Sequence, residues 1–184
     1  MGTAAQTLGL QGVDLLAHGA NGKLERVPAE VALAGKTIGV YFSAHWCGPC
    51  RAFTPTLAQV YEAVKAKHDD FVVLFVSADR NPQQFEEYYK SMPWLAVPFQ
   101  DRALQQQLSS RFSVMGIPRL VIVGPDGAVI ASDARAAVMA DEQGEHFPWP
   151  GAAGPSLLSA LLSPRGLMFL FFILYYLVQW LTKK

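Results

Sequence analysis

Cysteine is scarce in this chain of 184 residues: two occur, at positions 47 and 50. That scarcity argues against a disulfide-framed secreted domain, which needs several bridges in place of a core. It argues against a structural zinc site too, because His18, His45, His68 and His146 are scattered and there is no second cysteine pair. Excess charge of either sign is missing, with 15 Lys and Arg against 15 Asp and Glu. Without a basic field to attract phosphates, nucleic acid is not an expected partner. Neither a Gly-x-Gly-x-x-Gly fingerprint nor a Gly-x-x-x-x-Gly-Lys loop occurs, so no nucleotide cofactor is implied. The N-terminus lacks a basic segment followed by an apolar run and does not read as a secretory signal. Gln6 stands where a myristoylation motif wants Ser or Thr.

Hydrophobic residues make up 51% of the chain, ample for one core plus an appendage. Asn21-Gly22 marks a hairpin turn between two short strands. Phe71-Val72-Val73-Leu74-Phe75-Val76 is a continuous apolar run between polar ends, as expected of a central parallel strand covered on both faces. Asn81-Pro82 opens a helix, a second helix is expected over 103–110, and residues 119–123 and 128–132 pair through a Gly124-Pro125-Asp126-Gly127 turn. Strands alternating with helices and ending in a hairpin indicate a mixed central sheet flanked by helices. The expected domain covers 1–147, followed by a Pro/Gly-rich linker with a short helix over 148–165.

Trp46-Cys47-Gly48-Pro49-Cys50 carries the chemistry. The apolar run from Thr37 to Phe42 before it reads as a buried strand, and the run from Arg51 to about Lys67 reads as a helix. A thiol at such a junction meets free backbone N–H groups and the positive end of the helix macrodipole. Both favour the thiolate, lowering its pKa from about 8.5 toward roughly 7 or below. Cys47 is expected to attack and Cys50 to resolve the mixed disulfide. Pro49 should restrain the loop, Gly48 should let a partner's backbone approach, and Trp46 should either offer contact surface or pack on the scaffold. A purely structural disulfide across so short a loop would constrain little unfolded chain. Metal binding and inert burial are the competing readings, although Gly48-Pro49 and Trp46 fit an exposed turn better.

Residues 167–178 hold no polar group except the hydroxyls of Tyr175 and Tyr176. A helix with no hydrophilic face belongs inside protein or inside lipid. About 15 residues at 1.5 Å each span about 23 Å, short of roughly 30 Å of hydrocarbon. Arg165 and Lys183-Lys184 can snorkel from either end, and Tyr175, Tyr176 and Trp180 suit the interface. The expectation is a C-terminal hydrophobic helix acting as a transmembrane tail anchor over 166–182, with the preceding domain facing the cytosol. The basic flanks favour the mitochondrial outer membrane over the endoplasmic reticulum, and core packing or self-association is the alternative.

The element order and the dithiol together resemble the thioredoxin fold, in which the proline of a pair such as Ile117-Pro118 is cis and offers backbone to a substrate. A closer resemblance is to tryparedoxins and the related nucleoredoxins. It rests on Tyr41-Phe42-Ser43-Ala44-His45-Trp46-Cys47, Cys50-Arg51-Ala52-Phe53-Thr54-Pro55, Met92-Pro93-Trp94-Leu95-Ala96-Val97-Pro98-Phe99, Gly116-Ile117-Pro118 and Phe147-Pro148-Trp149-Pro150. The resemblance implies a dithiol shuttle that takes electrons from trypanothione and passes them to tryparedoxin peroxidase-type proteins and other disulfides. It implies no metal, flavin or nucleotide. By the same resemblance Trp46 and Ile117 line the partner surface, and Arg135 offers a positive charge to the glutathionyl part of the donor. Tyr41 stands where thioredoxins carry a buried carboxylate. Gly48 departs from the usual Trp-Cys-Pro-Pro-Cys, which leaves the donor open. A nucleoredoxin-like reductase using glutathione or thioredoxin reductase is one alternative, and a redox-regulated binding protein is another.

Overall fold

The computed structural model describes residues 3–20 and 22–152. Asn21 of the hairpin turn, the short helix expected over 156–162 and the tail anchor expected over 166–182 lie outside the described residues. The first elements are α1 (Ala4–Thr7), β1 (Asp14–His18), β2 (Leu24–Pro28), α2 (Ala29–Ala32), β3 (Thr37–Ser43) and α3 (Gly48–Lys65). They are followed by β4 (Phe71–Ser77), α4 (Pro82–Tyr89), β5 (Leu95–Ala96), α5 (Arg102–Arg111), β6 (Arg119–Val123), β7 (Val129–Ala131) and α6 (Arg135–Ala140). Among the described residues no helix is long and apolar enough to cross a membrane.

The strands form one sheet in the order β2-β1-β5-β4-β3-β6-β7. β4 sits at its centre and is buried at every position, as its unbroken apolar run demands. Only the β4 pairings with β3 and β5 are parallel, and the outer strands add antiparallel edges. Alternation sends Tyr41, Val73, Phe75, Leu120 and Ile122 to one face, against Leu57, Val60 and Tyr61 of α3 and Phe85 and Tyr89 of α4. Ile38, Val40, Phe42, Leu74 and Val76 face the other way, onto Leu104 and Leu108 of α5 and the N-terminal Leu8 and Leu10. The mixed sheet flanked by helices is therefore the thioredoxin-like arrangement anticipated above.

Helix starts follow local chemistry. The Asn81 side chain accepts the Gln84 N–H at 2.9 Å with Pro82 in the first turn, and Asp101 accepts the Leu104 N–H at 3.1 Å. α3 begins three residues before the expected Arg51, because Cys47 serves as its N-cap and Pro49 fits its first turn. Pro55 lies inside α3 without ending it.

The domain also runs further than the expected boundary at 147. Trp149 is buried in the core, and Nε1 donates to Asp141 at 2.8 Å. The Asp141 carboxylate also accepts the Glu145 N–H at 2.9 Å and the His146 N–H at 2.8 Å. Ser132 N–H then bonds the Ala152 carbonyl at 2.9 Å, and Gly151 N–H bonds Ile130 at 3.1 Å. The Pro/Gly composition of 148–152 thus encodes a fitted turn and not a linker, and the compact unit extends to Ala152.

Candidate active site

Strand register brings three loops together. β3 and β4 run parallel with Ser43 opposite Ser77, so the chain after each leaves the sheet at the same end. β6 runs antiparallel to β3 with Arg119 opposite Phe42, which sets Ile117-Pro118 beside the segment leading into Cys47. The dithiol therefore lies at the carboxyl end of the parallel strands, where open α/β sheets place their sites.

Cys47 and Cys50 are joined by a disulfide, with S–S 2.16 Å and Cα–Cα 5.2 Å. Cys47 is 6% exposed and Cys50 0%, so only one sulfur meets the outside. As N-cap of α3, the Cys47 sulfur accepts the Cys50 N–H at 3.2 Å. That donor, with the helix dipole behind it, is already in place for the negative charge that appears when the disulfide opens. A side chain at Gly48 would meet nothing within 4 Å of its Cβ, so the space there is open. Pro49 lies in the first turn of α3, where its missing N–H costs nothing.

Trp46 is tied to the scaffold and partly exposed. Its Nε1 donates to the Ala78 carbonyl at 3.0 Å and the Arg80 guanidinium lies 5.0 Å from the ring, yet 44% of the residue remains exposed. Opposite it the Ile117-Pro118 bond is cis, as expected, and the Ile117 carbonyl lies 3.8 Å from the Cys47 sulfur. Met115, two residues earlier, is 98% exposed. Ile117 itself is half-buried and packs against Ala44 and the two cysteines.

Arg135 opens α6 and is held by its neighbour. Its Nε and Nη2 donate to Asp133 at 2.9 and 2.7 Å, and these hydrogen bonds raise its pKa further, so it stays charged. Asp133, itself buried, also lies 3.7 Å from Arg119 Nη1. Arg119 follows the cis proline directly, and Asp133 stands between its guanidinium and that of Arg135, neutralising one charge.

Sequence reasoning missed two parts of this site. One is the fully buried Asp79, whose carboxylate accepts the His45 N–H at 2.7 Å and the Ser77 hydroxyl at 2.8 Å, locking the loop that carries Trp46. Asp79 had read only as the polar end of β4. The other is a group of buried hydroxyls beneath Cys50, on Tyr41, Ser43, Thr54 and Tyr88. Ser43 and Thr54 stood in the quoted motifs, but nothing in their spacing announced that they meet. Burial, and next the neighbouring Tyr88, push the Tyr41 phenol well above its ordinary pKa, so it is protonated at neutral pH.

A family model described as thioredoxin-like matches residues 35–129. Tryparedoxin of Trypanosoma brucei brucei is 46% identical over 123 residues, covering 65% of this chain and 83% of that protein. Mouse nucleoredoxin is 44% identical over 118 residues, covering 64% of this chain but only 27% of that longer protein. Among solved structures, tryparedoxin from Trypanosoma brucei superposes with a TM-score of 0.73 at 38% identity, over 82% of this chain and all (100%) of that one. A tryparedoxin II complexed with glutathionylspermidine gives a TM-score of 0.73 at 39% identity, over 81% and 100% of the two chains.

Proposed function

Since the chain belongs to the thioredoxin-like family, in its tryparedoxin and nucleoredoxin branch, we propose that it carries electrons from trypanothione to peroxidases and other disulfide-bearing proteins. It is a thiol-disulfide oxidoreductase acting through Cys47 and Cys50. The Cys47 thiolate attacks a partner disulfide, joining Cys47 to one partner sulfur and releasing the other as a thiolate. Cys50 loses its proton and attacks the Cys47 sulfur, which expels the second partner thiolate and restores the disulfide. Two thiols of the donor then reduce that disulfide.

The observation that carries the choice of donor is the likeness to a tryparedoxin complexed with glutathionylspermidine, a trypanothione-related thiol. Arg135, kept charged beside Asp133, supports this reading as a cation for the glutathionyl part of the donor. Gly48 and the likeness to nucleoredoxin favour a second reading, a protein-disulfide reductase drawing on glutathione or thioredoxin reductase. The full chain, assayed for insulin reduction with each donor at equal thiol concentration, separates the two. Trypanothione should drive turnover at least about tenfold faster than glutathione, a margin of about 1.4 kcal/mol. Equal rates, or turnover only with thioredoxin reductase, would select the second reading.

We further propose that residues 166–182 hold the protein on a membrane with its dithiol domain facing the cytosol, at the mitochondrial outer membrane in preference to the endoplasmic reticulum. The apolar run between Arg165 and Lys183 supports this. The full chain should stay with membranes through alkaline carbonate washing, and deleting 166–184 should release it. Release of the full chain by carbonate would rule out a spanning tail.

A further inference from the structure

Among the described residues, the sulfur-bearing side chain most open to solvent is not a cysteine. Met115 is 98% exposed, against 56% for Met139 and 1% for Met92. That exposure is held in place by its neighbours. Val114 and Ile117 pack against the core face that holds Phe42 and Leu108, and the Phe112 ring meets Phe42 at 6.1 Å. Ser113 N–H donates to the Ser110 carbonyl at 3.1 Å and Val114 N–H to that of Ser109 at 2.9 Å. A left-handed φ of 49° at Ser113 turns the chain out of α5.

The loop also stands beside the dithiol. Two residues of chain span at most about 7 Å, so Met115 lies within that reach of Ile117, whose carbonyl is 3.8 Å from the Cys47 sulfur. A polypeptide joined to Cys47 in a mixed disulfide has Trp46 and this loop as neighbours, whereas a small thiol needs only the sulfur. Methionine suits a surface that meets several partners, because its unbranched chain and polarisable sulfur adapt to different shapes. The same sulfur can be oxidised.

We propose that Met115 is a site of reversible sulfoxidation by hydroperoxides, and that its oxidation weakens disulfide exchange with proteins while sparing exchange with small thiols. In that step the thioether sulfur gives an electron pair to the outer peroxide oxygen. An S–O bond forms, the O–O bond breaks, and the remainder takes up the peroxide proton and leaves as an alcohol, or as water from hydrogen peroxide. The product is a polar group with a strong acceptor and no donor, which an apolar partner surface leaves unpaired. While Cys47 and Cys50 are joined they offer no thiolate to the same oxidant, so Met115 responds in the oxidised protein. This rests on the dithiol reading but not on any particular donor.

The test treats the full chain, as the disulfide, with hydrogen peroxide, removes the excess with catalase and locates added oxygen by peptide mass spectrometry. Met115 should gain oxygen first, Met139 more slowly and Met92 not at all. Insulin reduction driven by dithiothreitol should then lose about tenfold in kcat/KM, equivalent to about 1.4 kcal/mol. Single-turnover reduction of the Cys47–Cys50 disulfide by dithiothreitol should keep its rate, and methionine sulfoxide reductases should restore insulin reduction. In Met115→Leu, whatever its starting rate, peroxide should change nothing, and that variant keeps every other methionine. Met115→Gln, polar from the start, should match the oxidised parent without peroxide. Insulin reduction unaffected by an oxidised Met115, or lost equally in treated Met115→Leu, would overturn the proposal. Equal loss of the dithiothreitol reaction would overturn it as well, because the damage would then lie in the dithiol. An untreated chain inert toward insulin would instead defeat the dithiol reading, and this proposal with it.

Discussion

Replacing Cys47 by serine is expected to abolish disulfide exchange, with insulin reduction falling to the rate of the reductant alone. A serine hydroxyl in the same N-cap would still accept the Cys50 N–H that now lies 3.2 Å from the sulfur, so the fold should survive. What disappears is the ionisable nucleophile. Cys50→Ser should behave differently: Cys47 still attacks, nothing resolves the product, and mixed disulfides with partner proteins accumulate. In the reduced wild-type chain, alkylation of Cys47 by iodoacetamide should follow a titration with a midpoint near pH 7 or below, against about 8.5 for a free thiol. Turnover surviving in Cys47→Ser, or a midpoint no lower than that of a free thiol, would remove the dithiol mechanism altogether.

Trp149→Ala should cost about 3–5 kcal/mol of unfolding free energy, the range for deleting a buried large aromatic ring. Trp149 is packed edge-on against Phe71 and Phe147 at 6.1 and 5.3 Å, and its loss also removes one donor from Asp141. Urea unfolding of the two proteins measures the difference, and a loss below 1 kcal/mol (~) would mean that the segment is not part of the cooperative unit. Asp141→Asn adds a pH signature. Burial alone would raise the Asp141 carboxyl, but the His146, Trp149 and Glu145 N–H donors outweigh it and hold the group below the ordinary carboxylate range. A carboxylate depressed in the folded state stabilises fully above its unfolded pKa, about 3.9, and loses that contribution as pH falls through the lower folded value. The parent should therefore exceed Asp141→Asn in stability at pH 7, and the gap should narrow in acid. A gap independent of pH would contradict the assignment.

Much of the scaffold could be read from the residues because the signals are local or repeated. β4 declared itself by an apolar run with polar ends, and α4 by Asn81-Pro82. The dithiol and its helix were legible because Cys-x-x-Cys at a strand-to-helix junction has few other uses. Elements whose existence depends on distant partners were not legible. β5 is two residues long and is a strand only because β4 and β1 lie on either side of it. α6 has no side-chain cap and no acidic first turn, and it stands against α3 through Val138. The segment 148–152 has linker composition and a buried tryptophan, and the burial prevails because Asp141 offers that tryptophan a partner.

The sequence by itself determined the reactive pair and the layered sheet that carries it, since each follows from spacing and apolar pattern along neighbouring residues. Tertiary structure alone decided which groups surround the sulfurs. Asp79 beneath the Trp46 loop, the Ile117 carbonyl beside Cys47 and the Tyr88 hydroxyl beside Thr54 come from strands and helices far apart in the chain. Strand register brings the first two together, and the packing of α3 and α4 on one face of the sheet brings the third. Neither can be read from any single stretch of residues.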